Sequence, residues 1–130
     1  MLLLKNSFLK LINFTSVLIA FSLIWSTDLY LENVDVDSGT LDIIMINDVD
    51  VGGFQFNLSG LEITGASGGL ATDNGFLISN SANTLLGFSL TGSFIPPSNG
   101  VLINVAFENY GGGEVCIEDV VHLFLISIQL

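Results

Sequence analysis

From Leu29 onward the apolar residues recur at every second position, in short runs broken by Gly, Asn, Asp and Ser. That period belongs to half-buried β-strands, and the breaks are turn chemistry. The first two runs are Leu29–Val36 and Thr40–Asn47, joined through Asp37-Ser38-Gly39. Val51–Leu58 follows, with Phe54, Phe56 and Leu58 on one face and Gly53, Gln55 and Asn57 on the other. Leu61–Thr64 ends in Gly65-Ala66-Ser67-Gly68-Gly69, which reads as a chain reversal. Phe76–Ser79 and Thr84–Leu90 flank Asn80-Ser81-Ala82-Asn83 and predict a hairpin. In the second of these, Leu86, Phe88 and Leu90 share the expected inward face, and Gly87 and Ser89 point outward. Gly100–Glu108 is entered through Ile95-Pro96-Pro97-Ser98-Asn99, where paired prolines bar ladder bonding. Tyr110-Gly111-Gly112-Gly113 then turns the chain into Glu114–Val121. These runs predict about eight or nine strands and no helix of ten residues in this part of the chain. The expected fold is an all-β antiparallel sandwich with jelly-roll or Greek-key topology, its core including Phe54, Phe56, Phe88 and Phe107.

The ends of the chain read differently. Residues 1–26 start with Lys5 and Lys10 and continue through an apolar stretch from Leu11 to Trp25. This is the pattern of a signal helix, with cleavage expected after Ser26. Asn13, Thr15, Ser16 and Ser22 make the stretch poor as a membrane span, and an uncleaved N-terminal anchor is the alternative. The domain is then 27–130, and the expected location is extracellular or at the cell surface. Its last eleven residues, Val120 to Leu130, hold eight apolar side chains and no turn, which suits a buried closing strand.

Charge narrows the partners. The 130 residues include thirteen Asp or Glu, two Lys and no Arg, and both lysines precede residue 11. The segment 27–130 thus carries thirteen acids against no base. Nucleic-acid binding needs Lys and Arg to displace counterions from phosphates, so it is excluded, as are Arg clamps and Lys phosphate cradles. A hydrophobic content of 50% with only 12% charged residues supplies a core and excludes a disordered chain.

Catalytic chemistry finds little support. Cys116 is the single cysteine, so no intramolecular disulfide forms, and its place in Glu-Val-Cys-Ile-Glu predicts a small buried thiol. His122 is the single histidine, set among Val120, Val121, Leu123 and Phe124, and a structural role is expected for it. No catalytic residue is assigned and no enzyme activity is expected. Hard cations favour oxygen clusters, so Asp35 and Asp37 in one turn and Asp48 and Asp50 in the next are weak Ca²⁺ candidates. The first of these turns fails as an EF-hand loop: its glycine comes one position late, and Ile44 stands where the closing Glu belongs.

The order of elements resembles a cohesin module. The resemblance covers about residues 29–121 and rests on Leu29–Val34, Gly39–Ile43, Gly53-Phe54-Gln55-Phe56-Asn57-Leu58, Leu86–Gly92 and the strand Gly100–Phe107. It implies a jelly-roll sandwich in a superfamily that also holds carbohydrate-binding modules. It further implies non-catalytic docking of a dockerin, a small Ca²⁺-loaded helical module, in extracellular assembly of polysaccharide-degrading or surface proteins. In the family the partner lies across the sheet of the third, fifth, sixth and eighth strands. Carried over by position, the outward candidates are Gln55, Asn57, Ser79, Gly87, Ser89 and Asn104. A polysaccharide-binding module and a structural adhesion module are the alternatives. Sugar binding uses exposed aromatic platforms, and beyond residue 26 the chain has no Trp and only Tyr30 and Tyr110.

Overall fold

The computed structural model describes residues 27–124, with side-chain surroundings through residue 121. The predicted signal helix of 1–26, and the last part of the apolar tail, lie outside the described residues. Eight strands and one short helix follow in order: β1 Thr27–Asp35, β2 Thr40–Asn47, β3 Val51–Ser59, β4 Glu62–Ser67, α1 Gly69–Asp73, β5 Leu77–Asn80, β6 Thr84–Phe88, β7 Ser98–Glu108 and β8 Cys116–Phe124. They form two four-stranded sheets, β1-β2-β7-β4 and β5-β6-β3-β8. Every strand pair is antiparallel. The β1–β2 and β5–β6 connections stay within a sheet, and the rest cross from one sheet to the other. The two apolar faces therefore have to meet, which makes the expected antiparallel sandwich.

The core lies between the sheets. Leu41, Ile43 and Met45 of β2 and Leu102, Ile103 and Val105 of β7 meet Phe54, Phe56 and Leu58 of β3 and Leu85 of β6. Phe54 is stacked between Phe56 and Phe76, each ring centroid 6.1 Å from its own. Ile95 closes one end: its amide and carbonyl exchange bonds of 2.8 and 2.9 Å with Val51, and its side chain is fully buried. The adjoining prolines stay outside β7, as their missing amide requires. Asn47, 2% exposed, fastens this end by donating through Nδ2 to the carbonyls of Val49 (2.8 Å) and Pro96 (3.0 Å).

Three sequence expectations are corrected. Gly87 points inward: it pairs directly with Phe54, and a Cβ there would fall 2.3 Å from the Phe54 ring. Directly opposed residues share a face, so Leu85 and Gly87 face the core. Leu86 and Phe88 lie half-buried on the outside, and Leu90 is 77% exposed beyond the strand. Cys116 is half-buried on the outer side of β8, because Ile117, paired with the buried Leu58, takes the inward place. The segment Gly65–Ser67 is strand, paired with Ala106, Val105 and Asn104. The reversal comes at Gly68 and Gly69, both at positive φ (77° and 65°), and α1 buries Ala71 in the core.

Asp35 closes the β1–β2 turn. One carboxylate oxygen accepts the amides of Asp37 and Ser38 at 3.0 Å each, and the other accepts the Ser38 hydroxyl at 2.8 Å. These bonds, led by the Ser38 amide, hold its carboxyl below the ordinary value of 3.8. A lowered folded pKa stabilises the fold above the unfolded value and is lost as pH falls through the folded one. Asp35→Ala should therefore lower Tm at neutral pH, and the gap from wild type should shrink below pH 3.8. Thermal melts across the acid range check this; a gap that stays constant contradicts it.

Candidate functional site

The outer face of the β5-β6-β3-β8 sheet follows from its register. Ser79, Leu86, Gln55 and Val121 form one row across all four strands. Leu77, Phe88 and Gly53 form the row beside it, and Thr84, Asn57 and Glu118 the row on the other side. Because side chains alternate along each strand, the side chains of these rows stand on the outer side, opposite Phe54 and Phe56, while Gly53 itself is buried. Leu77 is 47% and Val121 49% exposed. Gln55, Ser79 to Ser81, Thr84 and Leu86 line a shallow depression of ≈ 260 Å³. The face mixes apolar patches with hydroxyls and amides and carries acids along β8 alone, a composition suited to burying another protein surface.

The polar row is tied together. The Thr84 hydroxyl donates to Asn57 Oδ1 (2.8 Å), and Asn57 Nδ2 donates to Asp119 Oδ2 (2.9 Å). Asp119 sits in a bulge of β8, between the Gln55–Val121 and Asn57–Glu118 pairings, with φ at 51°. The extra residue bends the strand and turns the carboxylate onto the outer face.

The six residues expected to meet a partner divide accordingly. Gln55, Asn57 and Ser79 stand together on this face. Gly87 faces the core beneath Phe54, so it offers no outward surface. Ser89 lies past the end of β6, its hydroxyl oxygen accepting the amides of Thr91 (3.2 Å) and Ser93 (2.9 Å) in a turn. Asn104 is outward, but on β7 of the opposite sheet, where its amide donates to Asp42. Alternation missed Leu86 and Phe88 by placing them inside, and Asp119 gave no local signal beyond being an acid.

The opposite outer face is anionic. Glu32 stands directly across from Asp42, and Glu62 across from Glu108. Amides partly answer these charges: Asn33 and Asn104 donate to the two oxygens of Asp42, and Asn109 donates to Glu62 at 2.7 Å. Asn104 and Asp42 help line a trough of ≈ 420 Å³ floored by Gly65, Ala66 and Ala106. Among the described residues no group of three or more His, Cys, Asp or Glu could hold a metal ion. Of the four Ca²⁺ candidates, Asp35 has its oxygens turned into its own turn; Asp37 adjoins it, and Asp48 and Asp50 lie at the β2–β3 turn. No helix among the described residues is long and apolar enough to cross a membrane.

The two-sheet antiparallel sandwich is a cohesin-like fold, by its likeness to a solved structure. A solved structure similar to it is a non-cellulosomal cohesin from the hyperthermophilic archaeon Archaeoglobus fulgidus, at a TM-score of 0.55 and 14% identity, covering 77% of this chain and 79% of that one. No protein-family model matches the chain, and no curated protein matches it in sequence.

Proposed function

We propose that the chain is an exported, non-catalytic docking module that binds a dockerin-type protein through the outer face of β5-β6-β3-β8. The observation that carries this reading is that face itself, on a cohesin-like fold: half-buried and exposed Leu77, Leu86, Phe88 and Val121 lie among Gln55, Asn57 and Ser79. Such mixed, flat surfaces suit protein partners. Residues 1–26 supply the export signal, and the partner belongs to an extracellular assembly of polysaccharide-degrading or surface proteins.

A polysaccharide ligand is the second reading, and the aromatic residues count against it. Tyr30 lies on β1 of the other sheet, Phe94 lies in the β6–β7 connection, and the Tyr110 hydroxyl donates to the Gly113 carbonyl at 2.7 Å. They build no common platform for stacking on sugar rings.

The test is capture from a panel of isolated dockerin modules and a set of insoluble polysaccharides, with and without EDTA. The expected result is dockerin capture that EDTA abolishes, with no retention on cellulose. Retention on polysaccharide without dockerin capture overturns the reading.

A further inference from the structure

We infer that Asp119 is the anchor for a basic side chain of the docking partner, which presents Lys or Arg beside an apolar residue seated on Leu86 and Val121. This rests on the proposed docking function and adds the chemistry of the partner.

The carboxylate is placed and oriented by its neighbours. The bulge and the left-handed backbone at Asp119 (φ 51°) bring it onto the outer face, and Asn57 fixes one oxygen. Asn57 is itself held by Thr84, so the relay runs across β6, β3 and β8. Among the described residues, Asp119 Oδ1 accepts no side-chain hydrogen bond and remains available to a donor. Two other structured carboxylates differ in this respect. Both oxygens of Asp42 are taken by Asn33 and Asn104, and both oxygens of Asp35 by its own turn.

Among the residues whose side chains are described, 27–121, there is no Lys, Arg or His to answer this carboxylate. Both lysines precede residue 11, there is no arginine, and thirteen acids follow residue 26. A carboxylate two residues along β8 from exposed Val121 (49%), on the same outer face as half-buried Leu86, loses solvent when a protein covers the face. Covered without a partner charge it opposes docking, whereas covered by a guanidinium or ammonium it forms a charge-assisted hydrogen bond. An acidic surface also speeds encounter with a basic partner and disfavours acidic ones.

The test is nitrogen-15 NMR of the full chain titrated with two capped tripeptides, Ac-Leu-Arg-Leu-NH2 and Ac-Leu-Gln-Leu-NH2. The Arg peptide should shift the amides of Asp119, Asn57, Leu86 and Val121, and the Gln peptide should leave them in place. Asp119→Asn keeps a side chain that tolerates the left-handed backbone, and should weaken the Arg response about tenfold. Asn57→Ala should weaken it less, by freeing the carboxylate to wander. Equal responses to both peptides, no response, shifts centred on Glu62 and Glu108, or an unchanged response in Asp119→Asn would each overturn the assignment. The outcomes separate the two claims. A captured dockerin whose affinity ignores Asp119→Asn removes the anchor and leaves docking intact. An Asp119-dependent Arg response with no dockerin captured keeps the anchor and removes the dockerin reading.

Discussion

Phe54→Ala should cost about 3–5 kcal/mol, a large part of the roughly 5–15 kcal/mol that holds a domain of this size together. Phe54 is 1% exposed, stacks with Phe56 and Phe76, and covers Gly87 on the neighbouring strand. Truncation removes its transfer free energy and leaves a cavity that two rigid sheets cannot close. The lowering of Tm should exceed about 10 °C. Gly87→Ala tests the same contact from the other side. Its Cβ would stand 2.3 Å from the Phe54 ring, so the ring or the strand has to move, at about 1–3 kcal/mol. In the Phe54→Ala background the added methyl enters space the ring has left, and its cost should vanish or reverse. A double-mutant cycle by urea denaturation reads this coupling. If Gly87→Ala costs nothing beside an intact Phe54, then Gly87 points outward, as local alternation alone suggests, and the Phe54 ring does not lie over it.

The second large effect concerns binding. Leu86→Lys should reduce affinity for a captured dockerin at least about thirtyfold while leaving Tm within a few degrees of wild type. Leu86 stands between Ser79 and Gln55 in the central row of the outer face, the position where an interface is driest. A lysine keeps an apolar stem over the sheet and lifts its ammonium to water, so the free protein tolerates it. In the complex that charge is covered, and it opposes the basic group expected at Asp119. Leu90→Lys is the control: Leu90 is 77% exposed and lies past the end of β6, so binding should not change. Calorimetric titration of both variants decides the matter. Equal losses, or none for Leu86→Lys, would move the docking surface elsewhere.

How much of the structure is legible in the chain depends on the residue. Thr40–Asn47 is found at its predicted limits, because turn residues bracket it and its apolar positions repeat. The same holds for the inward face of Val51–Ser59, where Phe54, Phe56 and Leu58 alternate with smaller or polar residues. Thr84–Phe88 has apolar side chains on both faces, so alternation could not choose. Counting favoured Leu86, Phe88 and Leu90, yet the core took Leu85 and Gly87. The choice belongs to Phe54, some thirty residues earlier, whose ring needs the room that only a glycine leaves. Asn104 shows a related limit. Its outward side was legible, but its sheet was fixed by the pairing of β7 with β2 and β4.

The sequence by itself determined the strands, most of their limits to within two residues, and the absence of any Lys or Arg beyond residue 10. Those properties are local: side-chain period, turn chemistry and charge need no distant partner to be read. Only the tertiary structure decided which face of β6 is buried. It alone gathered Gln55, Asn57 and Ser79 on one surface, and it alone joined Thr84, Asn57 and Asp119 into one relay. Thr84 and Asp119 are remote in the chain, and they act together because antiparallel pairing sets their strands on either side of β3.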